Sequence, residues 1–359
     1  MADIFLVPTG NIIKEYLSEY GYTQKEACAR LGVSEKHFSN LVNGNVRLTE
    51  DVALKLENLL PLPASYWLNF ESKYREYLAR TELNKNLESE DLQALAKKFR
   101  FSEVFAGMEW NLLKQAQEML KLLKISSFEN FEAAYSNLPI RFMEDGGQKE
   151  AIAIWLNMCE SEIDIQNDIP EGVKFSVAKL KKSLDEIKSL TLNNNVAKAF
   201  LNCRKICNSL GINLVIVEAL PGCKVRGALT TKQGRPTIYL SGRFKTHDHI
   251  WFAFIHEIAH LILHYNVHDT LISEEENSEN SIEQEANDFA RTFFVNEASF
   301  ASFKCARDFS VASITRFARE QRVLNGIIVA FLQHDTVLAN NRLNHLKIPF
   351  DINDLTVPI

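Results

Sequence analysis

The chain has 359 residues, of which 46% are hydrophobic and 24% charged, proportions that exclude a globally disordered chain. At roughly 100–200 residues per domain, this length predicts two or three domains. Forty Lys and Arg against 46 Asp and Glu leave a net charge of −6, so nucleic-acid contact has to come from a local surface. Six cysteines are too sparse for a disulfide scaffold and none forms a Cys-x-x-Cys pair. The opening residues lack a basic region and Pro8 interrupts their apolar run, which argues against a secretory leader. Apolar runs such as Ile327–Leu332 fall far below the roughly 20 residues of a membrane span. The expectation is a reduced, cytoplasmic protein without a membrane contact.

Read in chain order, the first seventy-odd residues are short helical patterns punctuated by Gly21, Gly32, Gly44, Pro61 and Pro63. Within them, TQKEACARLGVSEKHFSNLVNG (residues 23–44) reads as two helices joined by a tight turn. Thr23 caps the first and Gly32 ends it; Ser34 caps the second and Gly44 ends it. Cys28 falls where two helices approach closely, and Val33, Phe38, Leu41 and Val42 supply an apolar inner face. The polar residues left outside suit base edges and phosphates. Gln24, Ser34, Lys36, His37, Ser39, Asn40 and Asn43 are therefore the candidate DNA contacts. Over residues 1–75, eight basic side chains face nine acidic ones, a net of −1. Without excess positive charge, DNA binding needs a dimer, and a helical module for protein contacts is the alternative.

From about Asn86 to Tyr135 the pattern is helical, with Leu112, Leu113, Ala116, Met119, Leu120 and Leu123 on one apolar face. Strands are predicted at Asn213–Val217, Gly227–Thr230 and Thr237–Leu240, the last two flanking a turn at Gly234. A helix should start near Thr246 or Asp248 and run to about Leu263. An acidic, loop-like stretch from His268 to Asn280 follows, including Glu274–Glu276 and Glu279, then another helix from about Ser281. Two shorter helical patterns close the chain. The fold class is thus α+β and mostly helical, with an all-α front and a small sheet in the middle.

The segment FIHEIAHLILH (residues 254–264) holds His-Glu-x-x-His inside a helical apolar pattern. Four residues advance a helix by about 400°, so His256 and His260 share one face and can ligate one ion. Glu257 is offset by about 100° and is free to address a water beside that ion. Zinc suits two neutral imidazoles, and a catalytic site needs a third protein ligand. Glu283 and Asn287 lie at i and i+4 of the next helix: Glu283 can complete the ligand set, and Asn287 can hydrogen-bond a ligand from outside it. Glu285 points to another face. His264 continues the histidine face, but three residues at i, i+4 and i+8 of a straight helix cannot all reach one tetrahedral ion. A packing, supporting or substrate-side role is expected for it. His247, His249 and His268 have no metal spacing and read as surface or lining residues. Cys203 and Cys207 read as buried structural cysteines.

Residues 11–74, above all GYTQKEACARLGVSEKHFSNLVNGNVRLTEDVALKLENLL followed by SYWLNFESKY, resemble the antitoxin type of the phage-repressor helix-turn-helix family, its HigA-like branch. Residues 151–300, in RPTIYLSGRFKTHDHIWFAFIHEIAHLILH and again in EQEANDFA, resemble the ImmA/IrrE zinc metallopeptidases. The end of the chain is similar to the small helical module that often follows that peptidase core. The resemblance implies four parts: a DNA-binding domain at 1–75, a helical connection at 76–150, a gluzincin-like core at 151–300 and a helical module at 301–359. It makes His256, His260 and Glu283 the Zn2+ ligands and Glu257 the catalytic base. Two stretches depart from the family pattern. Phe293–Asn296 stands where an aliphatic run and a proline are usual, and Gln321–Leu324 replaces a glycine-containing turn.

The resemblance also implies a biology in which the peptidase clips a repressor. The leading expectation is therefore a transcriptional regulator that binds operator DNA as a homodimer and cleaves a repressor, a toxin partner or itself. The alternative is an antitoxin-like or ligand-sensing transcription factor whose zinc site is structural or sensory.

Overall fold

The structure is a computed structural model that describes residues 7–136, 141–144, 147–265 and 276–356. His268, Glu274, Glu275 and the first six residues, on which some of the expectations above fall, lie outside the described residues. The backbone divides into two compact units, one ending at Ala94 and one starting at Leu95.

The N-terminal unit is built of α1 (Thr9–Glu19), α2 (Gln24–Leu31), α3 (Glu35–Val42), α4 (Glu50–Leu59) and α5 (Ala64–Glu88). Local chemistry sets the boundaries of α2 and α3. The Thr23 hydroxyl accepts the Glu26 backbone N–H, the Glu26 carboxylate accepts the Thr23 N–H, and Gly32 closes α2 in the left-handed region at φ +63°. Ser34 Oγ then accepts the His37 N–H at 3.2 Å and starts α3. Phe38, Leu41, Ala27, Ile13, Leu56 and Trp67 are fully or nearly fully buried in one cluster. A single buried carboxylate ties the loops to this core: Glu71 accepts from the Thr9 hydroxyl, from the Leu48 N–H at 3.3 Å and from Arg75 Nε at 2.7 Å. All its bonds are charge-assisted, which is what allows a carboxylate at 3% exposure.

The C-terminal unit opens with broken helix. The continuous helical pattern expected over residues 86–135 is interrupted at Arg100, which takes φ +57°, and again before α6 (Leu112–Leu122). Beyond it come β1 (Arg141–Glu144), α7 (Lys149–Ser161), α8 (Val177–Leu190), α9 (Val196–Ser209), β2 (Asn213–Ile216), β3 (Val225–Lys232) and β4 (Arg235–Leu240). The sheet order is β1-β3-β4-β2, with β2 parallel to β4 and the other pairs antiparallel. Edge strand β1 is absent from the sequence reading, because four residues carry too little alternation to stand out. The β3–β4 hairpin turns on Gln233-Gly234, both at positive φ, the geometry that matches strand twist in a two-residue turn.

Next come α10 (His247–Leu263), α11 (Glu276–Phe294), α12 (Glu297–Ala306), α13 (Val311–Gln321) and α14 (Asn325–His334). Helix α11 starts five residues before the expected Ser281, so residues 276–280 are helical and not loop. Acidic residues suit a helix N-terminus, and polarity alone had disguised the turn. Helix α10 is apolar nearly all round, as a helix enclosed in a core must be. Trp251, Phe254, Ile255 and Ile258 share one cluster with Ile238 of β4 and Phe294 of α11. Ile314, Ile328 and Leu332 from the last helices belong to the same cluster. At the departure noted in the sequence, Arg322 caps α13 at φ +57°, a conformation that costs a non-glycine residue about 1 kcal/mol.

His247 and His249, read from the sequence as surface or lining residues, sit where α10 begins. His247 is 1% exposed; its Nε2 donates to the Thr191 carbonyl at 2.7 Å, and its Nδ1 has no partner among the described residues. Burial lowers its affinity for a proton. His249 stacks on Phe244. Burial pulls it down to about 4, opposed by the Asp248 carboxylate and reinforced by Lys347, Arg226 and Arg243. Both folded values lie below the unfolded value of about 6.5, so the unfolded chain binds more protons between about pH 4 and 6.5. Stability contributed by these neutral rings is therefore present above about pH 6.5 and lost as pH falls. Urea unfolding at pH 7 and pH 5 should show the loss, at most about 1.4 kcal/mol per pH unit for each ring. His249→Gln should flatten the slope, and the comparison cancels every other titrating group.

Candidate functional site

Helix α10 carries His256, Glu257 and His260 into the interior; all three are fully buried. Helix α11 lies against it and supplies Glu283, Glu285 and Asn287. The ligand atoms of His256, His260 and Glu283 all lie within 4.8 Å of one another, and among the described residues no other group of three such side chains converges. Nε2 of His256 is 3.0 Å from Glu283 Oε2, and Nε2 of His260 is 3.3 Å from Oε1 of the same carboxylate. The two Nε2 atoms are themselves 3.0 Å apart.

The partners of the outer nitrogens decide what these inner atoms are. His256 Nδ1 lies 3.0 Å from Asn287 Oδ1, and a carbonyl oxygen only accepts, so the ring proton sits on Nδ1. Its Nε2 then presents a lone pair to Glu283 and His260. Lone pairs from two imidazoles and a carboxylate converge on one point, a set that fits a divalent cation. Burial lowers the proton affinity of His260, although Glu283 works against that, and a neutral ring is the ligating form.

Glu257 is not one of the three converging side chains and packs against Gly227 of β3. Among the described residues neither carboxylate oxygen has a hydrogen-bond partner. Burial, followed by repulsion from Glu283, pushes its carboxyl well above the usual range. Room for it comes from Gly227 on β3, where an added Cβ would meet Glu257 Oε1 at 2.7 Å. Sequence reasoning treated Gly227 only as the start of a strand. A glycine inside a strand pattern is the available signal for close approach of another group. His264 Nδ1 lies 3.1 Å from His260 Nδ1, and His264 Nε2 lies 3.0 Å from Glu285. Glu285 is thus beside His264 and outside the converging set. Just past α10, the Tyr265 hydroxyl is 3.0 Å from Thr231 Oγ1 on β3, a contact no spacing in the sequence announces.

In the N-terminal unit, Gln24, Ser34, Lys36 and Asn43 are exposed, and His37, Ser39 and Asn40 are half-buried on α3. Not all are equally available. Ser34 Oγ is engaged as the cap of α3. Asn43 accepts from Lys14 Nζ at 2.9 Å and donates to Ser39 Oγ at 3.4 Å. Lys36 and Asn40, four residues apart, share one face of α3.

Two family models match the chain. One, described as a helix-turn-helix, covers residues 13–67, and the other, described as an IrrE N-terminal-like domain, covers residues 207–323. The first includes α2 and α3 entire; the second includes His256, Glu257, His260, Glu283 and Asn287. Neither the curated proteins nor the solved structures gave a match. No described helix is long and apolar enough to cross a membrane.

Proposed function

The chain joins a helix-turn-helix DNA-binding domain to an ImmA/IrrE-type metallopeptidase-like domain, and from that premise we propose a DNA-bound regulator that cleaves a repressor or partner protein with the aid of zinc. The observation that carries the reading is Glu257. A metal site that only braces the fold has no use for a fully buried carboxylate with two unpartnered oxygens next to its ligands. A proton acceptor beside a reacting water needs just that.

On this reading His256, His260 and Glu283 hold Zn2+, with Asn287 and His264 supporting the two histidines. When bound, the ion supplies positive charge that polarises a peptide carbonyl and makes water easier to deprotonate. Glu257 takes the proton of the attacking water on a carboxylate oxygen and delivers it to the departing amine nitrogen. Burial favours the first of these transfers: a carboxylate short of solvent and donors takes up a proton more readily than one in water. Gly227 keeps the carboxylate in place by leaving it space. The division into 1–75, 76–150, 151–300 and 301–359 follows the same reading.

The test is incubation of the zinc-loaded protein with the repressors encoded near its gene, with fragments read by mass spectrometry. One defined cut is expected. Intact substrates throughout would favour the sensory or antitoxin-like reading, which the net charge of −1 over residues 1–75 also favours.

For the N-terminal unit we place α3 in the major groove of an operator, as half of a symmetric dimer. Asn40→Ala should then cost about 1–3 kcal/mol at one base position. Lys36→Ala should weaken binding evenly across sequences and lower the salt slope by about one charge. Gel shifts over a salt series measure both. Equal, weak binding of every duplex by wild type and variants would move this unit to protein contacts.

A further inference from the structure

We propose that Glu285 and His264 form a positioning relay that fixes the proton of His260, so that its Nε2 stays available as a metal ligand. The proposal rests on the metal-site reading above and extends it to two residues that do not touch the ion. The chain of contacts runs outward from the site: His260 Nδ1 to His264 Nδ1 at 3.1 Å, then His264 Nε2 to Glu285 Oε2 at 3.0 Å.

Donor and acceptor roles follow from the outer end. A carboxylate accepts only, so His264 Nε2 carries a proton. In the relay His264 is the neutral tautomer with its one proton on Nε2, which makes its Nδ1 the acceptor toward His260. The group placed against it is His260 Nδ1, which then donates. With its proton on Nδ1, His260 turns a bare Nε2 toward Glu283 and His256. Asn287 does the same for His256 directly, whereas the Nδ1 contact of His260 is His264, through which it reaches the Glu285 carboxylate. The His264 side chain is 10% exposed and that of Glu285 63% exposed, so the relay carries the orientation of a fully buried ligand to the protein surface. Outer partners of this kind typically govern about 10–100-fold in metal affinity.

Exposure of Glu285 also makes the test clean, since substituting it removes no packing from the core. Zinc affinity of the full chain is measured by competition with a chromophoric chelator, alongside the melting temperature of the metal-free protein. Glu285→Ala should weaken zinc binding about 10-fold or more with unchanged metal-free melting. Glu285→Gln keeps an oxygen that accepts from His264 Nε2, so it should restore affinity to within about threefold of wild type. Affinity unchanged in Glu285→Ala would overturn the relay. So would Glu285→Gln falling as far as Glu285→Ala, because the charge and not the accepted hydrogen bond would then be responsible. Wild-type protein that takes up no zinc at all would overturn the metal-site reading, and the relay with it, an outcome distinct from failure of the relay alone.

Discussion

Glu257→Gln should retain zinc and fold while losing about 100-fold or more in cleavage of the true substrate, the lower end for a positioned general base. The glutamine has the same shape and occupies the recess opposite Gly227 without a new clash. It breaks no hydrogen bond among the described residues, because neither Glu257 oxygen has one there. What it cannot do is accept a proton from water. His260→Ala should behave differently and lose both metal and cleavage, since it removes one of three converging ligands. The two variants have to be read side by side, with zinc content by plasma spectrometry, melting by calorimetry and cleavage by fragment analysis. Wild-type cleavage by a zinc-loaded Glu257→Gln would remove Glu257 from the role of base. Gly227→Val offers an independent route to the same loss: its side chain occupies the space of Glu257 Oε1 and displaces the carboxylate with no change in any ionisable group.

Phe38→Ala should unfold the N-terminal unit. Its ring is fully buried among Ala27, Leu41 and Leu56, and truncating a buried Phe costs about 3–5 kcal/mol. That is most of the stability a domain of this size possesses. DNA binding should vanish with it. Zinc uptake should persist, because the cluster around α10 shares no residue with the cluster around Phe38. Calorimetry checks this as the loss of one transition with another retained; loss of zinc uptake as well would show that the units depend on one another.

The parts of the site legible in the sequence were those set by helical period. His256 and His260 are four apart, as are Glu283 and Asn287, and once each pair is put on a helix its members share a face. The capping signals of α2 and α3 were legible for a similar reason, since Thr23, Gly32 and Ser34 act on backbone within a few residues. What escaped depends on contacts between distant segments. Gly227 and Glu257 are thirty positions apart, and only the packing of α10 on β3 makes one the socket of the other. His264 caps the end of α10 and Glu285 sits on α11, with no spacing rule to connect them. The start of α11 was placed late because a run of Ser, Glu and Asn reads as solvated loop, although the same residues suit a first helical turn. His247 carries no metal spacing and reads only as a surface or lining residue; the Thr191 carbonyl that accepts from its ring inside the fold is 56 positions away in sequence.

The shared cluster of α10 with the last helices also limits how the protein can be dissected. Ile314, Phe317, Ile328 and Leu332 cover the same interior as Trp251 and Ile258. Further on, the Leu355 carbonyl accepts from the fully buried Arg204 at 3.0 Å. A fragment cut at residue 300, where family resemblance would draw the edge of the catalytic core, leaves that apolar surface wet and the Arg204 guanidinium short of an acceptor. Such a fragment should be recovered as insoluble aggregate. The shortest soluble piece to carry the three converging ligands should begin near Leu95 and reach past Leu355.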